Sequence, residues 1–157
     1  MNPVDIADGV VSHATPQAAE EFRNEPVSDF GQEEPREAMR QALAEVRKQL
    51  GRTYPPVIDG QALNTSETFD SLNPSHQREV VGRCGKATPE QARQAIETAH
   101  RALADWRDTD PDERAEFLVR TAAVLRRRRF ELCAWEVVEC AKGWREADAD
   151  VAEAIDF

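Results

Sequence analysis

The helical period of the chain from Thr88 to its last residue is the feature that most limits the possible folds. Residues 88–91 and 110–113 each place Pro at the first helical position behind a capping residue, and the first of them is a capping box. Apolar residues follow each start at the spacing of one helical face, at Ala92, Ile96, Ala99, Leu103 and Trp106 and then at Ala115, Leu118, Ala122 and Leu125. A further helix is predicted over residues 130–141. The chain is therefore expected to be mainly α-helical.

The last stretch, residues 147–157, predicts an amphipathic helix rich in acids. Val151, Ala154 and Ile155 recur on one face, and the remaining positions include Asp148, Asp150, Glu153 and Asp156. No Gly, Pro or basic last turn closes this pattern, so the sequence predicts a chain cut in mid-helix. Spacing alone favours a solvated acidic face for these carboxylates.

Residues 1–50 divide into a tail, an arm and a helix. Residues 1–21 are acidic and aperiodic, which predicts a mobile acidic tail. In residues 22–30, Phe22 and Phe30 bracket Pro26, which predicts an anchoring arm that lays both rings on another surface. Residues 33–50 carry Met39, Leu43, Val46 and Leu50 at helical spacing, with Gly51 after them.

Short strands are predicted between Tyr54 and Gly85. Asp59-Gly60 lies between residues 57–58 and 61–63 and predicts a hairpin with a type I′ turn. Residues 68–72 and 80–84 predict two more strands, which together with the hairpin make a small antiparallel β element.

Charge and cysteine content exclude several classes of protein. Residues 1–37 contain nine acids and two arginines, so most of the net charge of −10 lies there. This distribution argues against a nucleic-acid surface. The run of arginines at 126–129 is expected to stay solvated at a helix end. No apolar run is long enough for a membrane span. Three cysteines without metal-type spacing predict a reduced, cytoplasmic protein.

The sequence alone indicates no catalytic centre. It has no glycine-rich loop between a strand and a helix, so no cofactor-binding residues are predicted. Cys133 and Cys140 lie in an apolar helical pattern and are predicted to be buried and inert, and Cys84 is no better placed. His76 has no ligand partner at metal spacing, so no metal site is predicted.

Several segments nevertheless resemble a known family. The capped helix ending at Trp106, the start at residues 110–115, and Glu139 and Lys142 before a terminal helix resemble the N-terminal part of the aldehyde dehydrogenase superfamily. Within it, residues 23–26, 29–30 and 146–157 resemble L-glutamate γ-semialdehyde (1-pyrroline-5-carboxylate) dehydrogenases. The resemblance covers residues 22–157 and implies an α/β parent fold of which this chain is the incomplete N-terminal portion.

The resemblance also implies a function. Such enzymes oxidise the semialdehyde to L-glutamate with NAD in proline catabolism, through a cysteine and a glutamate that come later than Phe157. Glu153 matches a family carboxylate that meets the α-ammonium group of the small-molecule substrate. Residues 139–143 depart from the family by having Ala141 and Gly143 where Gly and Pro are common. The isolated chain is expected to be inactive, and its expected partners are a missing catalytic segment or further copies of the chain in a homo-oligomer.

An alternative from another class is a non-catalytic helical protein-interaction module or a split-enzyme subunit. A module selected to stand alone should bury Val151, Ile155 and Phe157, whereas a segment separated from its parent fold should expose them.

Overall fold

The computed structural model describes residues 22–157, so the predicted tail 1–21 lies outside the described part. The elements in this part are α1 (Glu33–Arg47), β1 (Arg52–Tyr54), β2 (Val57–Ile58), β3 (Gln61–Ala62), β4 (Thr68–Leu72), β5 (Val80–Gly85), α2 (Pro89–Asp108), α3 (Pro111–Arg127), α4 (Arg129–Cys140) and α5 (Trp144–Asp156). The predicted predominance of helix is confirmed.

The core lies between α1, α4 and α5, which we call the core group. The predicted face of α1 supplies Met39, Leu43 and Val46, all buried, although the helix ends at Arg47 rather than at residue 50. They pack in one cluster with apolar residues of the two other helices, namely Cys133, Ala134, Val138, Ala147, Val151 and Ile155. Burial of this apolar surface is the main source of stability for the described fold.

The strands form a small mixed sheet and a separate hairpin. β5 pairs antiparallel with β4 and parallel with β1, a three-residue strand that the sequence analysis did not predict. The predicted hairpin is present as β2 and β3, and Asp59 and Gly60 have φ of 54° and 71°. These positive values are those of the type I′ turn that the Asp-Gly pair predicts.

α2 and α3 are consecutive helices joined through Thr109 and Asp110, a pair that we call the helical hairpin; they begin as predicted but pack differently from the core group. Thr88 Oγ1 accepts a hydrogen bond from Gln91 N at 3.2 Å, and the Gln91 side chain accepts one from Thr88 N at 2.9 Å. Neither helix contains a buried residue, and Ile96 and Leu118 are 70% and 63% exposed. The apolar face of α2 and the first half of that of α3 are therefore uncovered in the described part of the chain, whereas Ala122 and Leu125 of α3 pack against the core group.

A tight connection joins α4 to α5. Ala141 has φ of 57° at the end of α4, and Gly143 N donates to Glu146 Oε2 at 3.1 Å to cap the start of α5. This cap starts α5 at Trp144, three residues before the predicted start. Across residues 22–157, no helix combines the length and the apolar character needed to cross a membrane.

Candidate functional site

Glu153, the predicted substrate-binding residue, lies on the exposed side of α5. The other acids of this helix are engaged within the chain: Glu146 accepts from Gly143 N, Asp148 pairs with Arg129, Asp150 pairs with Lys142, and Asp156 accepts from the arm. Among residues 22–157, no side chain forms a hydrogen bond or an ion pair with the Glu153 carboxylate. Its charge is therefore available to a ligand.

Asp148 contradicts the solvated acidic face predicted for this helix, because it is 1% exposed. Its carboxylate accepts from Arg129 Nε at 2.7 Å and Nη2 at 2.8 Å, and from Ser28 N at 2.6 Å and Ser28 Oγ at 2.8 Å. The prediction that the arginine run stays solvated is thus wrong for Arg129. A bidentate guanidinium and two further donors compensate the burial of this charge.

The spacing of apolar residues in α5 indicates that Asp148 lies on the buried face. Asp148 stands three residues before Val151 and seven before Ile155, so it shares their core-facing side of the helix. A carboxylate at such a position requires a buried cation, and the arginine run is the source of one.

The hydrogen bonds to Asp148 determine its ionisation. Burial alone would raise the pKa of this carboxyl, but the hydrogen bonds from Arg129 and Ser28 outweigh burial and hold its pKa below the usual value. The same pairing raises the pKa of Arg129. This pair is therefore charged at neutral pH and links α4, α5 and residue 28.

The arm, residues 22–30, is anchored to α5 as well as to the core group. Asn24 Nδ2 donates to Asp156 Oδ2 at 2.9 Å, and Glu25 N donates to Asp156 Oδ1 at 2.7 Å. Phe30 packs edge-on against Phe130 and Trp144, with centroid distances of 6.4 and 5.6 Å. The predicted anchoring is correct for Phe30 and wrong for Phe22, which is exposed.

An open cleft of about 420 Å³ lies between the arm and the start of α5. Residues 27–30 line one side, and Arg145, Asp148 and Ala149 line the other. The Asp148 carboxylate already accepts hydrogen bonds from Arg129 and Ser28. Asp29 and Arg145 are the other charged residues that line this cleft. The Ser28 hydroxyl in this cleft donates to Asp148, and no cysteine lines the cleft.

The cysteines do not form a nucleophilic site. Burial raises the pKa of the Cys133 thiol to about 12, with a further contribution from the nearby Asp148 carboxylate. Cys133 is thus buried and inert, as predicted. Cys140 was predicted to be buried but is exposed, since it is the last residue of α4 and lies beyond the core-facing turn. Cys84 is half-buried in β5.

The described residues do not fit a dinucleotide or a metal ion. Gly85 ends β5 before α2, but a Cβ there would lie 2.7 Å from Thr65 Oγ1 and 2.8 Å from Pro56 Cδ. This glycine therefore permits close packing within the chain and does not open a surface for phosphate. Within residues 22–157, His, Cys, Asp and Glu form no group of three that could hold a metal ion.

Comparison with known proteins identifies the class of protein to which these elements belong. Residues 62–157, from β3 to the end of α5, match the model of the Aldehyde dehydrogenase family. The chain belongs to the aldehyde dehydrogenase family.

The matches to individual proteins are more specific than the match to the family. The 1-pyrroline-5-carboxylate dehydrogenase of Geobacillus kaustophilus is 50% identical over 136 residues, which are 87% of this chain and 26% of the relative. A Thermus 1-pyrroline-5-carboxylate dehydrogenase structure with bound NAD has a TM-score of 0.85 at 48% identity, and the match covers 89% of this chain and 27% of that one. Proline utilization A of Bdellovibrio bacteriovorus has a TM-score of 0.85 at 39% identity, covering 90% and 15%. The chain spans about a quarter of the length of the curated relatives it matches.

Proposed function

We propose that this chain supplies the N-terminal segment of an NAD-dependent L-glutamate γ-semialdehyde dehydrogenase, which oxidises the open form of 1-pyrroline-5-carboxylate to L-glutamate. The observation that carries the proposal is the extent of the match to the 1-pyrroline-5-carboxylate dehydrogenases. A match of 136 residues in a chain of 157 begins at residue 22 or earlier, whereas the family match begins at residue 62. The likeness therefore includes an arm and an α1 helix that lie outside the family match.

In this proposal, Glu153 binds the α-ammonium group of the semialdehyde. The carboxylate is exposed and free of partners among the described residues, while its acidic neighbours on α5 are engaged. A cationic group that leaves water for a substrate tunnel needs an opposite charge, and a charge-assisted hydrogen bond from ammonium to carboxylate supplies it.

In this proposal, the reacting groups lie in the part of the enzyme that this chain does not match. NAD supplies the hydride acceptor in that reaction, and no residue of the described part forms a cradle for it. The Cys133 thiol cannot attack an aldehyde near neutral pH, because its pKa is raised to about 12. The 157-residue chain alone is therefore expected to produce no NADH.

A chimaera tests the proposal. Residues 22–157 would replace the matching N-terminal quarter of the Geobacillus kaustophilus enzyme, and NADH formation would be followed with the γ-semialdehyde and with propanal. We expect activity with both aldehydes and a preference for the γ-semialdehyde. Glu153→Gln should raise KM for the semialdehyde by about tenfold or more, with KM for propanal nearly unchanged, because only the semialdehyde carries an ammonium group.

Asp150→Asn is the matched control for that substitution. It removes one negative charge three residues before Glu153, on the same helix, and should leave both KM values near those of the chimaera. Equal effects of Glu153→Gln on the two aldehydes would remove Glu153 from the substrate site. A chimaera without preference for the semialdehyde would contradict the proposed substrate.

A helical interaction module or split-enzyme subunit is the second candidate, and the uncovered faces of the helical hairpin favour it. Burial of the last helix does not decide between the two candidates, since Val151 and Ile155 are buried whereas Phe157 is 89% exposed. The chain would be mixed with the separately expressed remainder of the Geobacillus kaustophilus enzyme. Reconstituted activity that Leu118→Asp abolishes would indicate a split-enzyme subunit. Self-association lost in the same variant, without reconstitution, would indicate an interaction module.

A further inference from the structure

The arm lies outside the family match but inside the match to the 1-pyrroline-5-carboxylate dehydrogenases. The family match starts at residue 62, whereas the arm ends at Phe30. The arm therefore lies in the part of the chain that matches the particular relatives and that the family match does not cover.

The arm contacts the helix that carries Glu153, on both sides of that residue. Ser28 donates two hydrogen bonds to Asp148, five residues before Glu153. Asn24 and Glu25 donate two more to Asp156, three residues after it. The two carboxylates are eight residues apart, or about 12 Å along the helix axis. The arm thus spans the stretch of α5 on which Glu153 lies.

Glu25 extends this attachment to two further helices. Its carboxylate accepts from Arg126 Nε of α3 at 2.7 Å and pairs with Arg129 Nη1 of α4 at 3.3 Å, while its own N–H donates to Asp156. One arm residue therefore joins α3, α4 and the end of α5. The core residues Val151 and Ile155 fix how deep α5 lies, and the polar contacts at both ends restrain its rotation about its axis.

We propose that the arm is a specificity element that holds α5 in the orientation that presents Glu153 to the substrate, with Asp156 as the positioning residue. The inference rests on the proposed function of the chain. A carboxylate that must meet an ammonium group tolerates little displacement, since a misplacement of about 1 Å can cost two orders of magnitude in rate. The arm adds two polar attachment points, Asp148 and Asp156, one on each side of Glu153.

The test uses the chimaera and two variants that release the arm at one end. Asp156→Asn weakens the carboxylate acceptor, and Asn24→Ala removes a donor without changing the charge of α5. Each should raise KM for the γ-semialdehyde by about fivefold and leave kcat and the KM for propanal within about twofold. Asp150→Asn is the control, since it removes the same charge at the same sequence distance from Glu153 but does not contact the arm.

A reciprocal exchange provides the rescue. In the double variant N24D/D156N, the side chains at the two positions trade donor and acceptor roles, and the amide oxygen on α5 can still accept from Glu25 N. We expect this double variant to recover most of the lost affinity for the semialdehyde. If the arm served stability alone, its variants would not change the KM for the γ-semialdehyde while leaving the KM for propanal nearly unchanged.

Hydrogen exchange on the 157-residue chain gives a readout independent of catalysis. Amides 150–157 should exchange faster in Asp156→Asn and Asn24→Ala than in Asp150→Asn. Unchanged exchange, or unchanged KM for the semialdehyde while Glu153→Gln raises it, would overturn the role of the arm and leave the proposed function standing. A chimaera that does not prefer the semialdehyde would overturn both.

Discussion

The core group and the helical hairpin start from the same sequence signals and end in opposite environments. α1 and α2 are both amphipathic helices with acids in their first turn, yet α1 buries Met39, Leu43 and Val46 and α2 buries nothing. The difference shows that an apolar stripe specifies a surface to be covered and does not specify what covers it. In the core group the cover is within the described chain, whereas most of the apolar surface of the hairpin is exposed there.

Removal of the buried carboxylate should have the largest effect on stability. Asp148→Ala leaves the Arg129 guanidinium, whose side chain is 12% exposed, without its main partner. We expect a loss of about 3–5 kcal/mol in the free energy of unfolding. Urea denaturation followed by tryptophan fluorescence measures it. Asp108→Ala removes the acid of an exposed pair with Arg107 in the helical hairpin and should leave the midpoint unchanged.

A double variant separates charge from packing in this prediction. Asp148→Leu combined with Arg129→Met replaces the pair by apolar side chains and should be less destabilised than Asp148→Ala alone. A larger loss in the double variant would mean that the hydrogen bonds from Ser28, and not the unpaired charge, dominate the stability of this region.

Truncation of one leucine in each region should give the next largest effect. Leu43 is 8% exposed and Leu118 is 63% exposed. In the 157-residue chain, Leu43→Ala should cost about 3 kcal/mol, while Leu118→Ala should cost less than about 0.5 kcal/mol because no cavity forms. In the chimaera, the cost of Leu118→Ala should rise if the remainder of the enzyme covers the hairpin. Equal costs in both proteins would mean that the hairpin stays exposed there.

Local signals predicted most of the elements of the fold. The capping residues Thr88 and Asp110 fixed the starts of α2 and α3, and Asp59-Gly60 fixed the hairpin turn, because each acts through neighbouring backbone groups. β1 was missed because a three-residue strand, exposed throughout, has no alternation to detect and exists through its pairing with β5. Pairing between distant residues leaves no local period in the sequence.

The candidate site shows the same division between local and distant information. Glu153 was proposed from the resemblance and not from spacing, and its role stays a prediction. The burial of Asp148 and the exposure of Cys140 depend on how α4 and α5 pack, which helical period alone does not determine. The contact between the arm and α5 joins residues more than a hundred positions apart, so the sequence pattern could not reveal it.

Acid should weaken the core group through Asp148, with a smaller effect than the substitutions above. The folded state holds the pKa of Asp148 below its unfolded value, so the unfolded chain binds this proton more readily. The stabilisation is therefore fully present above the unfolded pKa, near 4, and is lost as the pH falls through the folded pKa. Urea midpoints at several values between pH 7 and pH 3 should show the loss. The midpoint of Asp148→Asn should lie below that of the unsubstituted chain at pH 7, and the two should converge toward pH 3.

The helical hairpin provides the comparison for this acid profile. The hydrogen bond from Arg107 also lowers the pKa of Asp108, but that pair is exposed to solvent, which screens its contribution to stability. Asp108→Asn should therefore change the acid profile less than Asp148→Asn. If the two variants altered the profile equally, the acid sensitivity would arise from the general loss of surface charge. If only Asp148→Asn flattens it, the link between the arm, α4 and α5 is the acid-sensitive contact of the fold.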